Sequence, residues 1–127
     1  MASTMAPYSG DVPWWASVGP GRQQPLLFAA SVVVSGGGHG MIARALTAGV
    51  PLVLVPGNDD QRALSKRVAD LGVAVVLRHA GPRSLRRAVE RVLADSAMAA
   101  QARSVARAVA TADPVVLCHQ VLAGRSA

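Results

Sequence analysis

VVVSGGGHGMIARALTAGVPLVLVP, residues 32–56, is the stretch of sequence that decides the fold. It predicts a buried strand, a glycine-rich loop at residues 35–40, a helix, and a second buried strand. Two strands joined by a helix form a parallel β-α-β unit. Because consecutive glycines leave backbone N–H groups bare at the positive end of the helix dipole, the loop is suited to hold an anion, usually a phosphate.

A tight turn without any ligand is the alternative role for this loop.

The glycines do not fit the dinucleotide fingerprint G-x-G-x-x-G, since Met41 stands where the last glycine belongs. They do not form a P-loop either, because no Lys-Ser or Lys-Thr pair follows them. These two motifs therefore do not support binding of NAD or ATP.

His39 lies inside the loop, where it is placed to contact a phosphate or the edge of a base. If His39 acted as a general base, a carboxylate partner would be expected beside it, and the neighbouring sequence contains no evident one. We therefore expect ligand contact for His39, with a structural or solvated role as the alternative, and assign no catalytic residue in this chain.

The pair Asp60-Gln61 follows the second strand and opens the next helix. Ligands in open parallel sheets bind outside the carboxyl ends of the strands, so this pair and the glycine loop are predicted to share one edge. A carboxylate and an amide together accept from and donate to vicinal hydroxyls. Helix capping is the alternative role, and Asn58, Asp59 or Asp60 would serve it. A phosphate site beside hydroxyl-binding groups indicates a nucleotide or a nucleotide-sugar.

The chain beyond this stretch continues the same alternation. Residues 73–77 form a third Val-rich run, and continuous apolar runs are typical of strands buried on both faces. The predicted fold class is α/β, a partial Rossmann-like parallel sheet of about three strands with C-terminal helices. A doubly wound nucleotide-binding domain has about six strands in two halves, so this chain corresponds to the second half.

Two domain regions are predicted. Residues 1–22 are rich in proline and glycine and form an irregular N-terminal segment, while residues 23–127 form the partial nucleotide-sugar-binding domain. The predicted helices cover residues 24–29, 41–48, 61–71, a segment from Pro82 onward, about 97–110, and a last segment from Asp113 to near Gly124.

Composition narrows the classes of partner. The formal net charge is +6, and Lys66 is the only lysine, so the positive charge is almost entirely arginine. Arginine suits phosphate contacts, but a general surface preference for arginine is the favoured explanation here. Aromatic residues make up only 3%, and the arginines are scattered along helices, so nucleic-acid binding is not expected.

The remaining composition concerns cofactors and location. The single Cys118 excludes an internal disulfide and a cysteine-cluster metal site, and no metal or cofactor is expected. No apolar run approaches the roughly 20 residues of a membrane span. The first residues lack the features of a signal peptide, so a cytoplasmic location is predicted.

Five short motifs occur in a fixed order across residues 36–72. They are Gly36-Gly37-Gly38-His39-Gly40-Met41, Ala48-Gly49-Val50-Pro51, Val55-Pro56, Asp60-Gln61 and Leu71-Gly72. In order and spacing this set resembles the donor-binding half of the C-terminal domain of GT-B glycosyltransferases. The most similar group is the macrolide and glycolipid type, akin to the plant UDP-sugar transferases.

The resemblance implies a nucleotide-diphosphate sugar as donor and transfer of a hexosyl group to an acceptor hydroxyl without a bound metal. Asp60 and Gln61 would bind hydroxyls of the donor sugar. The residues implied for the diphosphate are Ser35, Gly36, Gly37, Gly38, His39, Gly40 and Met41.

Two positions depart from the family pattern. Gly36 stands where the family has a phosphate-binding histidine, and Met41 stands where it has serine or threonine. The resemblance therefore implies contacts from backbone N–H groups, with Ser35 or His39 as the side chains able to replace the missing ones.

GT-B enzymes place the active site between two Rossmann-like domains. The resemblance therefore predicts that this chain is a fragment, inactive alone, with a chain that supplies the acceptor domain as one conceivable partner. Whether it would be a truncated, split or degraded enzyme is left open. The alternative function is a non-catalytic nucleotide- or phosphate-binding module or a remnant. A half-domain would also leave an apolar sheet edge exposed beside residues 32–34.

Overall fold

The computed structural model describes residues 2–3, 8–113, 115–116, 119 and 123. In this part of the chain, strands and helices alternate much as the sequence predicts. The elements are β1 (Ala2–Ser3), β2 (Val18–Gly19), α1 (Gln23–Ala29), β3 (Val33–Ser35), α2 (His39–Ala48), β4 (Leu52–Leu54), α3 (Asp59–Asp70), β5 (Ala74–Val76), α4 (Pro82–Ala94) and α5 (Ser96–Thr111).

The main sheet has three parallel strands in the order β3-β4-β5. Val33 pairs with Leu52, and Leu52 pairs with Ala74. All three residues of β4 are buried, as a Val- and Leu-rich central strand requires. Among the described strands, β3 and β5 each have one neighbour, and the side chains of Val34 and Val76 are partly exposed at these edges. The predicted open edge beside β3 is confirmed.

Alternate residues of β4 face two separate clusters. Leu52 and Leu54 pack with α2, α3 and α5 on one face, whereas Val53 packs with α4 on the other. Helices thus cover both faces of the sheet, which confirms the predicted α/β class with C-terminal helices. The buried members of the two clusters are Ile42, Ala45, Leu52, Leu54, Val68, Val73, Ala74 and Ala102 on the first face, and Val53, Ala88 and Val92 on the second.

Helix α2 begins at His39, two residues before the predicted start at Met41. Gly38 is its N-cap, and the Gly38 carbonyl accepts the first helical hydrogen bond from the Ile42 N–H at 3.1 Å. The helix ends at Ala48, and the C-cap residue Gly49 has a φ of 73°, the left-handed conformation that glycine favours. Glycine is also needed for packing, because a Cβ here would lie 3.3 Å from the Ala106 Cβ of α5.

Helix α4 is amphipathic. Ala88 and Val92 are buried against the sheet, and Arg86 pairs with Glu90 at 2.9 Å on the exposed face. Helix α5 starts after Asp95, whose side chain accepts a hydrogen bond from the Met98 N–H at 2.9 Å. These two helices complete the layers on either side of β4.

The chain ends differ from the central domain. In the first 22 residues, β1 and β2 form a two-residue parallel pair. Trp14 and Trp15 do not pack on the domain edge, since both are exposed, at 95% and 72%. The last predicted helix, from Asp113 to near Gly124, falls largely outside the described residues, as does Cys118. Within the described ranges, no helix has the length and apolar character needed to cross a membrane.

Candidate functional site

The loops that follow the three strands lie at one edge of the sheet. Because β3, β4 and β5 are parallel, their carboxyl ends at Ser35, Leu54 and Val76 point the same way. The connections that follow are residues 36–38, 55–58 and 77–81. Ligands of open α/β sheets bind at this edge, and the structure brings the predicted glycine loop and the Asp60-Gln61 segment to it.

The glycine loop is tied to the sheet by Ser35. The Ser35 carbonyl accepts a hydrogen bond from the Val55 N–H at 2.9 Å, and Ser35 Oγ accepts one from the Gly37 N–H at 3.2 Å. No described side chain caps α2, so the N–H groups of its first turn, at His39, Gly40 and Met41, keep their capacity to bind a ligand. Such a helix start favours an anion.

Gly37 brings the loop into contact with α3. Its φ is 86°, and a Cβ on it would lie 2.8 Å from Ser65 Oγ and 3.7 Å from the backbone oxygen of Gln61. Only glycine suits both this backbone conformation and this close approach. The loop therefore rests directly on the first two turns of α3.

The polar residues at the start of α3 make different hydrogen bonds and so have different roles. Asn58 Oδ1 caps the helix by accepting from the Gln61 N–H at 2.9 Å, so the capping role falls to Asn58. Gln61 Oε1 accepts from the Gly57 N–H at 2.9 Å, which leaves the Gln61 Nε2 group free to donate. Asp59 pairs with Arg62 at 2.8 Å.

Asp60 has neither a hydrogen bond nor an ion pair from its carboxylate within the described ranges of the chain. Its side chain is exposed beside Gln61. The arrangement thus offers an accepting carboxylate next to a donating amide at the edge that also carries the glycine loop.

His39 and Met41 lie in the first turn of α2. His39 is exposed, and Met41 is half-buried. Neither side chain makes a hydrogen bond in the described structure. The described residues also contain no group of three or more histidine, cysteine, aspartate or glutamate side chains placed to hold a metal ion.

Arg78 and His79 lie at the same edge, a feature that the sequence analysis missed. Together with Arg62 and Lys66 of α3, they line an open cleft of about 650 Å³. Two basic residues directly after the third strand were the available signal. Another cavity, of about 700 Å³, lies between α1 and α2 beside Arg44 and away from the glycine loop. Lys66 and Arg78 thus bring positive charge to this cleft, which favours anions, whereas the charge of Arg62 is offset by Asp59.

The fold is that of the C-terminal domain of a GT-B glycosyltransferase. Residues 23–122 match the family described as "Erythromycin biosynthesis protein CIII-like, C-terminal domain". This match extends over most of the chain, and the protein belongs to that family.

Solved structures and a curated protein agree with this assignment. The calicheamicin glycosyltransferase CalG4 is 34% identical with a TM-score of 0.69, and the match covers 87% of this chain and 31% of that one. The Streptomyces sp. SF2575 glycosyltransferase SsfS6, complexed with thymidine diphosphate, is 30% identical with a TM-score of 0.67, covering 81% and 29%. A sterol 3-beta-glucosyltransferase of Vanderwaltozyma polyspora is 34% identical over 74 residues, which are 58% of this chain and 6% of that protein. The chain thus spans only a minor part of each relative.

Proposed function

We propose that this chain binds a nucleotide-diphosphate sugar as the donor half of a glycosyltransferase site. The observation that carries the proposal is the contact between the glycine loop and the start of α3, at Gly37 and Gln61. It puts an anion-binding helix start and hydroxyl-binding side chains beside each other. The structurally similar glycosyltransferase SsfS6 is complexed with thymidine diphosphate, which supports a nucleoside diphosphate as the ligand.

The diphosphate is assigned to the loop and the first turn of α2. The backbone N–H groups of Gly36, Gly38, His39, Gly40 and Met41 supply the donors, and the helix dipole adds a favourable field. In the same site, the Ser35 hydroxyl accepts from Gly37 and still has its own proton to donate to a phosphate oxygen. His39 is exposed at the same turn and is the second side chain available for this contact.

The donor sugar is assigned to Asp60 and Gln61. The free Asp60 carboxylate accepts from sugar hydroxyls, while Gln61 donates through Nε2 because its Oε1 is held by Gly57. A sugar hydroxyl can donate to the Asp60 carboxylate and accept from Gln61 Nε2.

The reaction assigned to the whole enzyme is hexosyl transfer to an acceptor hydroxyl. Within the described residues we find no candidate for the base that would activate the acceptor, since His39 has no carboxylate partner there. We therefore expect these residues alone to bind the donor without transferring the sugar, because transfer also requires an acceptor domain.

Calorimetric titration of Asp60→Asn tests the assignment. We expect thymidine diphosphate and uridine diphosphate to bind the variant as they bind the parent, whereas the matching nucleotide-glucose binds about tenfold more weakly because one charge-assisted hydrogen bond is lost. Asp70→Asn is the matched control, since Asp70 is an exposed acid at the far end of the same helix. It should change neither affinity.

Three outcomes contradict the proposal in different ways. Equal affinity of the parent for bare nucleotides and nucleotide-sugars would favour a phosphate-binding module without sugar recognition. If Asp60→Asn and Asp70→Asn weaken nucleotide-sugar binding equally, the loss results from the change in overall charge and not from a lost contact with the sugar. Absence of any nucleotide binding by the parent would remove the donor site altogether.

A further inference from the structure

Ser65 has a buried hydroxyl without a hydrogen-bond partner. The residue lies in the second turn of α3, is 0% exposed, and its Oγ makes no hydrogen bond in the part of the chain that the structure describes. Buried hydroxyls are usually paired, because leaving one unpaired costs free energy. The position of Ser65 suggests which group is its partner in another state.

The Ser65 hydroxyl faces the glycine loop, since its Oγ would lie 2.8 Å from a Cβ at Gly37. Two groups of the loop backbone are already held. The Gly37 N–H donates to Ser35 Oγ, and the Gly38 C=O accepts from Ile42. By contrast, neither the C=O of Gly37 nor the N–H of Gly38, which belong to one peptide group, has a hydrogen bond within the described residues. A free peptide therefore lies beside a free buried hydroxyl.

We propose that Ser65 is a positioning residue for the donor diphosphate and acts through rotation of the Gly37–Gly38 peptide. When the diphosphate binds, the Gly37 C=O turns toward Ser65 Oγ and accepts its hydrogen bond. The Gly38 N–H, on the opposite side of the same peptide plane, then points away from α3 toward the diphosphate. Glycine on both sides makes this rotation sterically inexpensive.

The rotation leaves the rest of the site intact. The hydrogen bonds of the Gly37 N–H and the Gly38 C=O belong to the two adjoining peptides, so they persist in both states. The inference rests on the proposed diphosphate site and adds the residue that selects the bound conformation of its loop.

Binding of thymidine diphosphate to Ser65→Ala tests the proposal. We expect calorimetry on the full chain to show roughly fivefold to tenfold weaker binding, since the bound state loses one buried hydrogen bond. The unliganded variant should unfold at a denaturant concentration no lower than the parent, because only an unpaired hydroxyl is removed. Ser104→Ala, at an exposed position in α5, controls for alanine in a helix and should bind like the parent.

The amide signal of Gly38 in ¹H–¹⁵N spectra supplies a readout that a purely structural role would not change. In the parent, thymidine diphosphate should shift this signal downfield as the N–H bonds to a phosphate oxygen. In Ser65→Ala the shift should be clearly smaller. If Ser65→Ala does not fold, Ser65→Cys keeps a side chain of similar shape with a weaker donor, and it should also bind more weakly.

Two results would overturn the inference, and they are distinguishable. If the parent binds thymidine diphosphate and the folded Ser65 variant binds it equally well with the same Gly38 shift, Ser65 has no positioning role and the diphosphate site stands. If the parent does not bind thymidine diphosphate, the diphosphate site and the role of Ser65 both fail.

Discussion

Gly37 occupies the most constrained position in the site. It combines a φ of 86° with an approach to Ser65 that leaves no room for a Cβ. A side chain here strains the backbone and also forces Ser65 Oγ to move. The geometry of the loop and the start of α3 are consequently linked through this one residue.

Gly37→Ala should lower the free energy of unfolding by about 2 kcal/mol or more, since backbone strain adds to a steric clash. Urea unfolding followed by circular dichroism measures this change. Gly40→Ala is the matched control, because a Cβ there meets nothing within 4 Å and the residue lies inside α2, where alanine is favoured. Equal stability of the two variants would contradict the tight contact.

Residue-level roles were only partly predictable from the sequence. Asp60 and Gln61 were found by their place after a strand, but the hydrogen bond from Gly57 to Gln61 Oε1 depends on how the loop folds back. Ser65 gave no signal because a serine in a helix is usually exposed, and its burial follows from contact with a distant glycine. The binding roles themselves stay predictions.

At the scale of elements, the start of α3 organises the donor edge. Asn58 caps the helix through the Gln61 N–H, and Gln61 in turn holds the Gly57 N–H. These two hydrogen bonds fix the turn that follows β4. The cap therefore supports both helix stability and the orientation of the Gln61 amide.

Asn58→Ala should destabilise the protein by about 1 kcal/mol, the usual cost of losing an N-cap side chain. The same urea titration measures it, with Asn58→Ser as the variant that restores a capping oxygen. We also expect weaker binding of nucleotide-sugar, because the Gln61 amide loses its fixed position. A stable variant with unchanged sugar affinity would show that the cap is dispensable.

Element boundaries show where sequence patterns are weakest. The three strands were predicted from continuous apolar runs, which are typical of strands buried on both faces. All three residues of β4 are indeed buried. The start of α2 was misplaced by two residues, because three glycines carry no side-chain signal for which of them becomes the N-cap. Gly38 takes that role through its backbone alone.

At the scale of the whole molecule, the sheet has a single well-covered strand. β4 is flanked on both sides, whereas β3 ends the described sheet with Val34 46% exposed. An exposed apolar edge with unpaired backbone groups favours pairing with another strand. The isolated chain should therefore associate through this edge.

Val34→Lys should reduce this association, since a charged side chain on an edge strand opposes strand pairing. Sedimentation velocity over a range of protein concentrations measures the oligomer distribution. Val109→Lys is the control, because Val109 is also 46% exposed but lies on α5 away from the sheet. If both variants reduce association equally, added charge rather than the edge is responsible.

The strand order affects the sequence in which the strands pair during folding. β3 pairs with β4 and β4 with β5, so each strand pairs with the strand that follows it along the chain. Parallel strands pair slowly because a crossover must separate them, and pairing consecutive strands keeps each crossover to a single helix. We therefore expect the three-stranded unit to form from its own residues first. Any further strand that reaches the β3 side would then add to a template that already exists.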